Sequence, residues 1–244
     1  MTGSDLGVVI VTGAAGGIGS AIVRAVLDGG GSVVGVDLDA CPFPADDRIV
    51  WVRGDVTDGA TIDSAFGAAR DAGGARALLS SAFADHRAPL EELTAAQIMA
   101  VFEQQAIGAW RWATRLVDER AGAPGDTAVV HVSSVHARSA AAGAAPYAMA
   151  KSALGALTRA MAVEWGPRGV RCNAVEPGFV PVPRNAHRWG DADAMARRLP
   201  LRRVVRPVEV AEVVVFLASP RAAGVTGVCL PVDAGMGAAL PEWA

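Results

Sequence analysis

The sequence predicts a single doubly wound α/β domain, a parallel sheet covered by helices on both faces. Three observations carry this: short apolar runs alternate with helical patterns from end to end, the runs are apolar on both faces, and the first run opens into a glycine-rich turn. Strands buried on both sides belong to parallel sheets, because crossover helices leave neither face to water. At 244 residues, with 52% hydrophobic and 19% charged, the chain has ample material for one large core.

The first strand lies in GVVIVTG (7–13), followed by a helix over 17–29. SVVGVD (32–37) and RIVWVRGD (48–55) supply the next two strands, with a helix over 59–72. ARALLS (75–80) is the fourth strand and precedes a long helix over 94–120. TAVVHVSS (127–134) is the fifth, before a helix over 147–165 opened by Pro146, a residue favoured at the first helical position. VRCNAVEPG (170–178), a helix over 207–218 and GVCLPVD (227–233) complete the alternation. Segment 178–203 has prolines and a short helix candidate, which suits a flap over a site better than a sheet element. No linker, repeat or low-complexity tract interrupts the chain, so residues 1–244 read as one domain.

Composition narrows the function classes. A net charge of -3 gives no footprint for nucleic acid or an anionic membrane. The opening MTGSDLGVVIVTG has no basic stretch, and its apolar run is too short for a signal or a membrane span. Cys41, Cys172 and Cys229 are far apart and odd in number, which argues against disulfides and a cysteine zinc site and fits a reducing cytoplasm. The four histidines lack the paired spacing of a metal site, so no metal is expected.

Gly13, Gly17 and Gly19 form a TGxxxGxG turn between an apolar strand and an apolar helix. Missing side chains let backbone approach a pyrophosphate, and the helix N-terminus supplies N–H donors and the positive end of a dipole. Asp37 ends the second strand; its carboxylate can accept both ribose hydroxyls and would repel a 2′-phosphate. No arginine stands in the turn or directly after Asp37, so the expected cofactor is NAD rather than NADP. Asp55, at the end of the third strand, is placed to reach the adenine amino group.

Tyr147 is the chain's single tyrosine and Lys151 its single lysine; the i, i+4 spacing puts them on one helical face. Ser133 and Ser134 end the fifth strand, at the carboxyl edge where open α/β sheets bind ligands. Moving a hydride to or from an alcohol carbon also requires a proton to leave or reach the oxygen. A free phenol, with a pKa of about 10, is a poor base at neutral pH, and making it one takes about 4 kcal/mol. A neighbouring ammonium and an oxidised nicotinamide favour the phenolate. A serine hydroxyl can hydrogen-bond the substrate oxygen.

The glycine turn, the strand-ending Asp37, Ser134 followed by Tyr147-x-x-x-Lys151, NAVEPG and TGVCLPVDAG together resemble the short-chain dehydrogenase/reductase family, over about residues 7–236. The resemblance implies a single Rossmann domain with a seven-stranded parallel sheet and interconversion of a secondary alcohol and a ketone. It implies Ser134 as the group orienting substrate, Tyr147 as acid/base and Lys151 as the residue that binds the nicotinamide ribose and lowers the Tyr147 pKa. It also places Ile18, Val56, Ala82, Pro177, Gly178 and Val180 at the cofactor, with Gly13, Gly17, Gly19, Asp37 and Asp55. Helices 94–120 and 147–165 resemble those that pair protomers into homodimers or homotetramers.

Three positions depart from the family pattern. Phe83 stands where a glycine is usual after the fourth strand, so either the loop bulges or the ring faces the site. Gln105 replaces the asparagine of the catalytic tetrad, keeping the amide on a longer arm. Val182 replaces a threonine expected to hold the carboxamide. These departures keep a second reading open, a non-catalytic NAD(H)-binding sensor or scaffold on the same fold. An enoyl reductase fits less well, since it usually needs a longer Tyr-to-Lys interval. For substrate, Phe83, His136, Phe179 and Trp189 could line an apolar pocket. Arg184, His187, Arg188, Arg197 and Arg198 could seat an anion, although a solvated charged face is the more ordinary reading. Arg202, Arg203 and Arg206 need no substrate.

Overall fold

The computed structural model describes residues 6–123, 126–183 and 192–239. Seven strands form one sheet in the order β3-β2-β1-β4-β5-β6-β7, with every neighbouring pair parallel. They are β1 (Val8–Thr12), β2 (Ser32–Asp37), β3 (Ile49–Arg53), β4 (Ala75–Ser80), β5 (Thr127–Val132), β6 (Val170–Pro177) and β7 (Cys229–Val232). The helices are α1 (Gly17–Asp28), α2 (Gly59–Asp71), α3 (Ala95–Phe102), α4 (Gly108–Glu119), α5 (Ala145–Trp165), α6 (Ala192–Arg198) and α7 (Pro207–Ala218).

Alternate strand residues feed two separate cores. Val9, Val11, Val33, Leu79 and Val130 pack with Ile22 and Val26 of α1 and Val210 and Val214 of α7. Ile10, Val34, Leu78 and Val129 face the other way, onto Phe66 of α2, Trp112 and Leu116 of α4 and Met161 of α5. Most of these side chains are fully buried, at about 1.5–3 kcal/mol each relative to exposure. Arg171 of β6, itself buried, fastens the end of α7 to this frame. It forks onto both carboxylate oxygens of Asp126 (2.9 and 2.6 Å) and donates to the carbonyls of Leu217, Ala218 and Ser219. None of the described helices is long and apolar enough to cross a membrane.

Several expectations shift in detail. The helix expected over 94–120 is three pieces: a π-helical turn, Glu103–Ile107, separates α3 from α4 and carries Gln105. β3 ends at Arg53, so Asp55 stands in the following turn, where its Oδ1 accepts the Thr57 N–H and hydroxyl, each at 2.8 Å. Helix α5 starts one residue early, at Ala145, and Pro146 is its second residue. Arg203 and Arg206 both pair with Glu209 in the first turn of α7, an internal use that accounts for them.

The strand order turns back between β1 and β4, the crevice where such sheets take ligands. The glycine turn after β1, the loop after β4 and the serines after β5 meet there.

Candidate active site

The glycine turn is closed by its own backbone. Gly13 adopts φ +68, and a Cβ there would stand 2.7 Å from backbone atoms of Ser81 and Ala82. A Cβ on Gly19 would meet the Gly13 carbonyl oxygen at 1.9 Å. The space in front of Gly17 is filled by Val182, whose Cγ1 would be 2.4 Å from an added Cβ. So the turn requires Gly13 and Gly19 for itself, before any ligand is considered. Gly16 caps α1 without a side-chain hydrogen bond, and no acidic residue stands in the first turn. The leading N–H groups, around Gly17, Ile18 and Gly19, are therefore available to an anion.

Asp37 belongs to the same unit. Its Oδ2 accepts the Ala15 N–H at 2.9 Å and its Oδ1 the Asp39 N–H at 3.1 Å, and each oxygen retains a further lone pair for a hydroxyl. Uncapped N–H donors beside a strand-ending carboxylate fit a dinucleotide. Val56 is buried behind this surface, where its carbonyl accepts the Trp112 indole N–H at 2.8 Å. Gly178 also lies in tight packing: a Cβ on it would be 2.7 Å from Asp233. Val180 is buried in the core beneath α1 and α7.

The structure brings Ser134, Tyr147 and Lys151 together. Ser134 sits just past β5, and its Oγ accepts the His136 N–H at 3.2 Å, which leaves its own proton to donate. It stands close enough to the Tyr147 phenol to act on its protonation. One helical turn on, the Lys151 ammonium nitrogen lies 5.6 Å from the Tyr147 ring centre and donates to the Val132 carbonyl at 2.8 Å.

Protonation departs from the sequence expectation. Burial pushes the Tyr147 phenol up to about 12, with the Ser134 hydrogen bond pulling the other way. Burial alone brings Lys151 down to about 7. In the protein by itself the loss of water dominates both values, because a group deprived of hydration shifts towards its neutral form.

Behind Lys151 lies a cavity of about 10 Å³, at the lower limit for one water molecule, lined by Ser80, Gln104, Gln105, Trp112, Lys151 and Leu154 among others. Ser80 Oγ, Gln104 Oε1 and Gln105 Oε1 are buried there without protein partners among the described residues. His131, fully buried on β5, likewise leaves both ring nitrogens unpaired, and burial holds its pKa near 3. Nothing in its surroundings accounts for an imidazole at that position.

The loop after β4 forms the rim. Ser81 N–H donates to the Thr12 carbonyl at 3.0 Å, the Gln105 amide donates to the Ala84 carbonyl, and Ala88 N–H donates to the Gly143 carbonyl at 3.3 Å. Held at these three points, the loop turns Phe83 towards the site. The Phe83 ring meets Tyr147 edge-on at 5.5 Å, and His136 meets it edge-on at 5.4 Å. Two residues beyond Phe83, Asp85 accepts the Arg87 Nε at 2.8 Å. Both charges act on Tyr147 and on His136, whose pKa is lowered chiefly by burial.

Sequence reasoning missed Asp85 and Arg87. The signal was available, since ADHR begins four residues past a strand's carboxyl end, but a charged loop ordinarily reads as solvated surface. Phe179, expected in the pocket, is 3% exposed. Trp189, Arg184, His187 and Arg188 lie outside the described residues.

Comparison with known proteins bears on this geometry. A family model described as Enoyl-(Acyl carrier protein) reductase matches residues 13–237. The chain is 37% identical over 238 residues to cis-4-hydroxycyclohexanecarboxylate dehydrogenase of Sinomonas cyclohexanicum, covering 93% of this chain and 95% of that one. It is 33% identical to D-threitol dehydrogenase of Mycolicibacterium smegmatis, with 93% and 92% covered. The ligand-free aldohexose dehydrogenase of Thermoplasma acidophilum superposes with a TM-score of 0.86 at 26% identity, over 98% of this chain and 96% of that one. The chain thus belongs to the short-chain dehydrogenase/reductase family, as an oxidoreductase built for a nicotinamide cofactor.

Proposed function

We propose that the protein is an NAD-dependent dehydrogenase or reductase that interconverts a secondary alcohol and a ketone. The observation that carries this reading is the convergence of Ser134, Tyr147 and Lys151 from two chain segments onto one buried point. A bound nicotinamide supplies the hydride acceptor or donor. Ser134 donates its free proton to the substrate oxygen and fixes it beside the phenol. Tyr147 takes up or delivers the proton at that oxygen. Lys151 holds a ribose hydroxyl and, when charged, draws the phenol towards ionisation. Gln105 acts from behind: by holding Ala84 it fixes the rim, and its Oε1 borders the cavity next to Lys151.

Asp37 supports NAD over NADP, because a second anion would meet a carboxylate already tied to the turn. Asp55, Val56, Ala82, Pro177, Gly178 and Val180 complete the proposed cofactor surface. The interval of four between Tyr147 and Lys151 favours carbonyl over enoyl reduction. A relative named for a hydroxycyclohexanecarboxylate and one named for threitol frame the substrate range, a ring acid at one end and a neutral polyol at the other. The exposed Met99, Trp110, Met149 and Val163 on α3, α4 and α5 support pairing of protomers into a homodimer or homotetramer.

The test is Tyr147→Phe, followed as NADH formation on hydroxycyclohexanecarboxylate, simple cyclohexanols and threitol. Turnover should fall about 10³-fold while NAD affinity is retained. A sensor or scaffold role gains if the wild type binds NADH yet oxidises none of these alcohols and reduces none of the ketones. A preference for NADP would overturn the role given to Asp37.

A further inference from the structure

We propose that Arg87 is a specificity-determining residue that seats a carboxylate on the substrate, so that the preferred class is a ring-bearing secondary alcohol with an acid group away from the carbinol. The proposal deepens the dehydrogenase reading above and rests on it.

The argument begins with what the Asp85–Arg87 pair costs. The Asp85 side chain is only 3% exposed, and burying a carboxylate carries a desolvation penalty that a surface ion pair avoids. The Arg87 side chain remains 37% exposed. Of its guanidinium, only the Nε edge is taken by Asp85; Nη1 and Nη2 have no protein acceptor among the described residues. A buried anion holding one edge of a fork fixes the direction of the other edge. That outer edge presents two parallel N–H donors, the geometry a carboxylate accepts in bidentate fashion.

Position makes the pair relevant to substrate. Phe83, Asp85 and Arg87 alternate along a loop anchored at Thr12, Gly143 and, through Gln105, at Ala84. Phe83 at one end touches the Tyr147 ring, and the charges of Asp85 and Arg87 reach both Tyr147 and His136. Phe83 and His136 thus pack edge-on against the phenol ring, and the Asp85–Arg87 pair stands near enough for its charges to be felt there. Aromatic walls suit a six-membered ring; a polyol would have to leave hydroxyls against Phe83 without partners. The Asp85 charge offsets much of the Arg87 field, so a small free anion gains little there. A carboxylate delivered by a ring already held at the phenol gains the bidentate pair.

The experiment compares wild type, Arg87→Gln and Arg87→Lys on 4-hydroxycyclohexanecarboxylate, on its neutral isostere 4-hydroxycyclohexanecarboxamide, and on threitol. The wild type should prefer the acid to the neutral alcohol by at least about tenfold in kcat/KM. Arg87→Gln should lower that ratio by about 10- to 100-fold, mostly through KM of the acid, and Arg87→Lys should recover part of it. In parallel, calorimetry measures binding of cyclohexanecarboxylate, which has no carbinol to oxidise, with an expected loss of about tenfold or more in Arg87→Gln. Equal use of acid and neutral alcohol by the wild type, or an unchanged ratio in the variant, overturns the proposal. If no alcohol is oxidised yet carboxylate binding still depends on Arg87, the dehydrogenase reading fails and the anion site stands. Equal carboxylate binding by both proteins removes the anion site.

Discussion

Around the glycine turn the chain meets itself through backbone, while around Tyr147 it meets itself through side chains. Gly13, Gly16 and Gly19 close on one another within a few residues, and Asp37 joins them through a main-chain N–H. The substrate end gathers Phe83, Asp85, Arg87, Gln105, Ser134, His136 and Lys151 from four segments, and almost every contact runs through a side chain. A site end made of backbone tolerates few substitutions and keeps one ligand. One made of side chains can be retuned residue by residue. The same fold can thus hold its cofactor constant while its substrate changes.

The largest expected effect lies at the backbone end. Gly19→Ala places a methyl against the Gly13 oxygen, and the turn must shift to admit it. We expect a loss on the order of 4 kcal/mol in unfolding free energy together with loss of NAD binding, read by denaturant melts and cofactor titration. A stable Gly19→Ala protein with normal affinity would break the comparison.

Next comes Lys151, where the two ends meet. Its folded pKa of about 7 lies below the unfolded value, so the unfolded chain binds the extra proton at pH 7 and sheds it as pH approaches 10. Stability should therefore rise over that window, by on the order of 3 kcal/mol, relative to Lys151→Met. Tyr147, raised to about 12, works the other way: above pH 10 the unfolded phenol ionises first and stability falls. Denaturation midpoints across pH 7–11 test both signs; a flat difference between wild type and Lys151→Met would contradict the first, and a flat difference between wild type and Tyr147→Phe above pH 10 the second.

Gln105→Leu should cost about 1–3 kcal/mol, since it removes the Ala84 anchor in a buried setting, and it should raise KM for alcohols more than KM for NAD. A thermal melt and steady-state kinetics give both. Phe83→Ala is the smallest change. The edge-on contact is worth about 0.5–1.5 kcal/mol, so a several-fold rise in KM with little shift in Tm is expected from the same assays.

This division also explains what the sequence could show. All seven strands and the doubly wound parallel class were legible, because apolar runs and turn glycines obey local rules. Tyr147 and Lys151 stood out through rarity and spacing, and Ser134 through its place at a strand's carboxyl end. The π-helical turn at Gln105 was not, because the apolar pattern continues through it. Asp85 and Arg87 were not, because burial of one member only emerges once the loop is pinned by residues distant in the chain. The raised Tyr147 pKa of the protein by itself was not legible either: sequence supplies the neighbouring charge, whereas the loss of water depends on packing.

The burial of Lys151 has a practical corollary. It is the only ε-amine in the chain, and it is 3% exposed within α5. A lysine-specific endoprotease therefore has a single peptide bond to cut, one that becomes accessible only when the helix leaves the sheet. Every molecule that opens is recorded once, as a 151-residue and a 93-residue fragment (244 − 151 = 93). The protein carries its own counter of opening events, and a cofactor that holds the helix in place would slow the count.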